Sequence, residues 1–152
     1  MNSQNKKSRR RIFIYSLFII LLDQLSKLLV LKIFGFERSE NIVPKLLNIT
    51  LVKNRGAAFS LFSNYTSLLT YISLVTSLIL IVIIIKYPPR TYFNLIGLSY
   101  LLGGTVGNGI DRFFRGFVLD FLELVPINFP VFNVADISIN IAVIFFILDI
   151  IN

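Results

Sequence analysis

The stretch Ser67-Leu-Leu-Thr-Tyr-Ile-Ser-Leu-Val-Thr-Ser-Leu-Ile-Leu-Ile-Val-Ile-Ile-Ile85 decides the fold. It carries no charge, and its second part, Ile79 to Ile85, is unbroken aliphatic. At about 1.5 Å per residue, such a helix is long enough to cross a hydrocarbon layer of roughly 30 Å. Three further apolar segments flank it. One runs from Ile12 to Leu31, interrupted by Asp23, Gln24 and Lys27. Another, Tyr92 to Ile110, is uncharged and stops at Asp111 and Arg112. The last starts near Phe132, with Asp136 in its first turns and Asp149 near its end. With 55% hydrophobic and only 15% charged residues, the composition disfavours a soluble protein. The expected architecture is an all-α membrane protein of a single domain, residues 1–152, with four transmembrane helices at about 12–31, 67–85, 92–110 and 132–150.

The net charge of +7 raises the question of nucleic acid, yet Lys6, Lys7, Arg9, Arg10 and Arg11 form one run just before the first apolar segment. A basic cluster beside a spanning helix marks its cytoplasmic end, so a nucleic-acid partner is not expected. The same start resembles a signal peptide. No alanine occurs before Ala57, however, so no A-x-A cleavage site follows and the segment is read as retained. With this end inside, both termini and the Lys86–Arg90 link are cytoplasmic. Residues 33–66 and 113–131 then lie outside, and their Arg38, Lys45, Lys53, Arg55 and Arg115 leave only a modest charge bias. Within the outer segments, Ile49, Leu51 and Lys53 alternate with Asn48, Thr50 and Val52, which predicts a strand and a small extramembrane β-sheet. Phe117 to Phe129 is apolar but broken by Asp120, Glu123 and Pro126, and reads as an interfacial lid or cradle. The sequons at Asn48 and Asn64 carry little weight.

The chain contains neither cysteine nor histidine. Disulfides, thiol nucleophiles and histidine-assisted serine catalysis are thereby excluded, along with nearly all imidazole or thiolate zinc sites. Hydrolytic chemistry has to come from carboxylates or lysine. Ionisable groups inside spans are costly and ask for a reason. Asp23 and Lys27 stand four positions apart, on one helix face, as an ion pair whose ordinary role is packing. Gly103 and Gly107 have the spacing of close helix contact. Asn108, one turn before Arg112, offers donors for a peptide carbonyl. Asp120 and Asp136 fall on the same membrane face, with Asn133 three residues before Asp136. Two carboxylates in a poorly solvated site share one proton and can activate a water without metal or histidine. Spacing alone does not select Asp120 and Asp136 over Asp23 or Asp111.

In order, the chain reads Asp23-Gln-Leu-Ser-Lys27, Asn54-Arg-Gly-Ala-Ala-Phe59, Gly103-Gly-Thr-Val-Gly-Asn-Gly-Ile-Asp-Arg112, Val118-Leu-Asp-Phe121 and Phe132-Asn-Val-Ala-Asp136. These five blocks together resemble bacterial lipoprotein signal peptidase, the type II signal peptidase. The resemblance implies an aspartic endopeptidase of the bacterial cytoplasmic membrane, working without a cofactor and as a monomer. It implies that prolipoproteins bearing diacylglycerol on a cysteine are cut just before that cysteine, that membrane lipids are partners and that globomycin is an inhibitor. By motif, Asp120 and Asp136 would be catalytic. Asn54, Asn108, Arg112 and Asn133 would hold substrate or order the site, supported by Asp23, Lys27, Asp111 and Gly56. The departures are Ile137 after Asp136, Gly109 after Asn108, and no basic cluster after the last apolar segment.

Two readings compete. A small four-span transporter or channel component would use Asp23 and Lys27 as an ion path, and would need Asp23 but not Asp120. A packing scaffold would tolerate loss of both Asp120 and Asp136.

Overall fold

The protein is described by a computed structural model covering residues 3–36, 39–57, 61–62, 65–127 and 129–152. Arg38, the Ala58-Phe59 end of the second motif block and the sequon residue Asn64 lie outside the described residues. The elements in chain order are α1 (Ser3–Ile33), β1 (Ser39–Val43), β2 (Leu47–Asn54), α2 (Thr66–Lys86), α3 (Tyr92–Arg115), β3 (Val118–Leu124) and α4 (Val134–Ile151).

Among the described residues, α1, α2 and α4 are the helices long and apolar enough to cross a membrane. Their outward faces present Phe18, Leu74 and Ile147 to the surroundings. Contiguous apolar surface of this extent is unfavourable in water and at home in lipid, where a helix also satisfies its own backbone. The fourth helix, α3, is different in kind. It packs against each of the other three, with Leu95, Leu98 and Leu102 meeting Ile12 of α1 and Leu80 and Ile84 of α2. Its glycines set how closely those neighbours come. A Cβ at Gly104 would stand 2.5 Å from the Ala135 carbonyl oxygen of α4, and one at Gly107 would stand 2.7 Å from Asp23 Oδ2 of α1. Gly103 likewise abuts Ile19, so Gly103 and Gly107 both serve the α1 contact. The helix is capped by Thr91, whose hydroxyl accepts from Asn94 N at 3.0 Å. It stops at Gly116, where φ is 72°, a left-handed conformation that costs glycine little.

The three strands form one antiparallel sheet in the order β1-β2-β3. Residues 48–54 are a strand, as their alternation predicts. The Phe117–Phe129 segment, read from sequence as a lid or cradle, contributes β3. Val118, Leu119, Asp120 and Phe121 in it are all buried, so no polar alternation marks it as a strand. Leu119 and Phe121 pack with Leu51 of β2 and Val30 of α1, which seats the sheet on the end of the bundle. Lys53 lies over the rings of Phe36 and Phe117, 4.4 and 5.4 Å from their centroids. Beyond β3, the Phe132 carbonyl accepts from Phe121 N and Leu122 N at 3.0 and 2.8 Å, and Phe132 N donates back to Leu122. This pairing lays residue 132 against β3 immediately before α4 begins.

Candidate active site

Asn133 is where strand and helix meet. Sequence spacing places it on the helix face of Asp136; the structure places it one step outside, as the N-cap of α4. Its Oδ1 accepts from Asp136 N at 3.0 Å, while Asp136 Oδ2 accepts from Asn133 N at 3.1 Å. The two residues thus form a reciprocal capping box. The pattern Asn-x-x-Asp ahead of an apolar run was the signal for it, because a carboxylate at the third helical position satisfies an otherwise orphaned N–H.

Asp120, on β3, receives Asn133 Nδ2 on Oδ1 at 2.6 Å and Asn54 Nδ2 on Oδ2 at 2.8 Å. Asn54 is held in turn by Gly56 N, which donates to its Oδ1 at 2.9 Å. Asp136 Oδ1 receives Asn108 Nδ2 at 2.8 Å. Neutral amides therefore hold both carboxylates. Asp120 is 2% exposed. Burial, followed by the negative charge of Asp136, pushes its pKa up to about 7 against the opposing hydrogen bonds from Asn54 and Asn133.

The remaining acidic motif residues form a separate layer. Lys27 Nζ lies 2.8 Å from Asp23 Oδ2, 2.9 Å from Asp111 Oδ2 and 3.1 Å from Asn108 Oδ1, with no solvent exposure at Lys27 or Asp23. Arg115 pairs with Asp111 Oδ1. Asp23 Oδ1 accepts from Ala135 N at 2.9 Å, and Asp111 Oδ2 accepts from Leu119 N at 3.2 Å. Each supporting carboxylate thus grips the residue just before a member of the Asp120–Asp136 pair. The ion pair expected for Asp23 and Lys27 is present, extended by Asp111 into a buried cluster. Sequence reasoning missed Gln24, whose Nε2 donates to Asp23 Oδ2 at 3.0 Å and to the Gly107 carbonyl at 3.1 Å. A carboxamide inside an apolar span was the available signal.

Arg112 faces the other way. Its Nη2 donates to the Gly56 carbonyl at 3.2 Å and its Nη1 to Ser73 Oγ, at the long distance of 3.5 Å. Its Nε is buried without a hydrogen-bond partner among the described residues. Asn54, Arg112, Asp120 and Asp136 open onto a groove of about 1140 Å³, whose apolar wall includes Ile137, Ile141 and Ile144 of α4 and Phe129 and Phe132. Asn108 lines it too, although its carboxamide is engaged with Asp136, Lys27 and Asn133 rather than free. Asn133 is fully buried with both side-chain groups committed to protein partners, so it orders the site.

A bundle with this lipid-suited surface, and with two amide-held carboxylates at the floor of a half-apolar groove, defines a multi-pass membrane enzyme. Its overall shape agrees with solved structures of bacterial membrane enzymes. One obtained by the in meso method at 2.3 Å superposes with a TM-score of 0.85 at 30% identity, covering 92% of this chain and 87% of that one. A second, at 1.9 Å, gives 0.82 at 30% identity over 91% of each. The family described as "Signal peptidase (SPase) II" matches residues 15–152, and the chain belongs to that family. The lipoprotein signal peptidase of Parasynechococcus marenigrum is 44% identical over 131 residues, 86% of this chain and 82% of that protein. That of Thermosynechococcus vestitus is 41% identical over 148 residues, 95% and 94% of the two chains. That of Nostoc punctiforme is 41% identical over 138 residues, 90% and 87%.

Proposed function

We propose that this signal peptidase removes the signal peptide from diacylglyceryl-modified prolipoproteins as an aspartic endopeptidase, with Asp120 and Asp136 as its catalytic pair. The observation that carries the reading is that these two carboxylates open onto the groove held by neutral amides, whereas Asp23 and Asp111 are neutralised by Lys27 and Arg115.

The chemistry follows from their unequal surroundings. Asp120, with its raised pKa, carries the shared proton below about pH 7. A water between the two carboxyl groups gives a proton to Asp136 as its oxygen attacks the scissile carbonyl carbon, while Asp120 gives its proton to the carbonyl oxygen. The resulting neutral gem-diol collapses: its hydroxyl returns a proton to Asp120, the C–N bond breaks, and the proton held by Asp136 passes to the departing amine. The guanidinium of Arg112, which lines the groove, holds a neighbouring peptide carbonyl.

All four helices, α3 included, span the bacterial cytoplasmic membrane within one domain, residues 1–152, with both termini cytoplasmic and the sheet and dyad toward the outer face. The lipid chains of the substrate stay in the bilayer, so the bond before its cysteine meets the dyad near the membrane surface, where water is available. The apolar α4 wall of the groove receives the signal helix, and the outer segments form a cradle and lid over it. Globomycin occupies the same groove, and the enzyme acts as a monomer.

The test is incubation of purified protein with a diacylated precursor. Asp120→Asn and Asp136→Asn should each abolish the shortened product while the protein still inserts. Near-normal turnover by either variant would overturn the assignment.

A further inference from the structure

A second cavity, of about 670 Å³, lies at the opposite end of the bundle from the carboxylate pair, between the amino-terminal turns of α1 and the link from α2 to α3. Its lining brings together Arg11 of α1 with Lys86, at the end of α2, and Arg90, four residues further along the link. Among the described residues, none of those lining it is acidic, and none of these three cations joins a salt bridge. The contrast is with Lys27 and Arg115, whose charges are taken up by Asp23 and Asp111. The nearby Asp149 carboxylate hydrogen-bonds the Thr91 hydroxyl and Asn94 Nδ2 and forms no salt bridge with any of the three.

The placement tells what kind of anion fits. α1 has 31 residues, about 46 Å of helix, which exceeds a hydrocarbon layer of roughly 30 Å, so its basic start stands at headgroup level or beyond. Pro88 and Pro89 stiffen the link that carries Lys86 and Arg90, and Arg11, Lys86 and Arg90 supply the positive charge of the lining. The cavity is also two-sided: charged groups line it together with the buried side chain of Leu95 and the ring of Tyr92. An anion with attached acyl chains matches that combination better than a free one.

We propose that Arg11, Lys86 and Arg90 bind the phosphate of an anionic phospholipid headgroup, forming a lipid site separate from the proteolytic groove. The site rests on the proposed spanning of the membrane but not on the assignment of the dyad.

Native mass spectrometry of the detergent-purified full chain, titrated with phosphatidylglycerol or phosphatidylcholine, reads it directly. The wild type should retain phosphatidylglycerol in preference to phosphatidylcholine. The triple variant Arg11→Gln/Lys86→Gln/Arg90→Gln should bind phosphatidylglycerol at least about tenfold more weakly. Lys6→Gln/Lys7→Gln/Arg10→Gln removes the same charge outside the cavity and should change that affinity less than about twofold. Equal losses in both triples would mean diffuse attraction and overturn the site, as would no loss in either. Displacement of the lipid by inorganic phosphate at equal concentration would overturn the lipid assignment. Cleavage of a diacylated precursor in detergent, measured alongside, should be unchanged in the cavity triple. Its loss would overturn the separation of this site from the groove, while a failure of the dyad variants would leave the lipid result standing.

Discussion

Gly107 and Gly109 sit two residues apart on α3 and face opposite ways, and replacing each with alanine asks whether the ion cluster governs the site. A Cβ at Gly107 would lie 2.7 Å from Asp23 Oδ2 and 3.2 Å from its Cγ. That carboxylate has no room to yield, because the same oxygen holds Lys27 at 2.8 Å and Gln24 at 3.0 Å while its partner holds Ala135 N at 2.9 Å. Overpacking of this kind costs about 1–3 kcal/mol. Loss of a charge-assisted hydrogen bond adds about 1.5–3 kcal/mol. The better helix propensity of alanine returns about 1 kcal/mol. Gly107→Ala should therefore lose roughly 2–5 kcal/mol of stability. By releasing Ala135 it should also shift Asp136 and lower kcat by about 10–100-fold. At Gly109 the new Cβ would meet only Ser73 Cβ, at 3.3 Å. Gly109→Ala should leave stability within about 1 kcal/mol of the parent and turnover nearly unchanged. Thermal unfolding in detergent and precursor cleavage under saturating substrate measure both effects. If Gly107→Ala matched the parent in both assays, or Gly109→Ala proved equally damaging, the idea that Asp23 positions α4 would be wrong.

Other expectations follow from the same geometry. Because Asp120 is raised to about 7, the neutral acid is present below that pH and lost above it, so kcat should fall as pH rises through about 7. Asn54→Ala removes a hydrogen bond that favours the charged form of Asp120, and should move that falling limb to higher pH in a kcat profile; an unmoved limb would assign it to another group. Lys27→Met leaves Asp23 and Asp111 buried without their shared cation, and should cost about 3–5 kcal/mol in thermal unfolding. Strong chelators should leave turnover unchanged, and activity that disappears with chelator and returns with added metal would contradict two-carboxylate catalysis.

The apolar helices and the motif blocks were legible in the sequence for physical reasons that are local. Ile79 to Ile85 needs no partner to be read, and the alternation along residues 48–54 marks β2. What escaped reading depends on contacts distant in the chain. Val118 to Phe121 is buried throughout, so β3 shows no alternation, and its strand character comes from pairing with β2 and with Phe132. The grip of Asp23 on Ala135 joins residues 112 positions apart and leaves no mark in either neighbourhood. That distance is also why spacing could not separate the groove carboxylates from the lysine-bound ones. Asn133 is legible as a neighbour of Asp136 by spacing, and its cap role is local too, carried by the Asn-x-x-Asp pattern ahead of the apolar run.

One consequence of that cap reaches beyond α4. Asn133 touches Asp120 through its carboxamide and Asp136 through its own backbone amide. It acts as a caliper, in which the gap between the two acids is gauged by the bonds of a single residue instead of by how a strand happens to rest on a helix. Any displacement of β3 relative to α4 has to strain or break one of these bonds, so the two carboxylates are held to move as a pair.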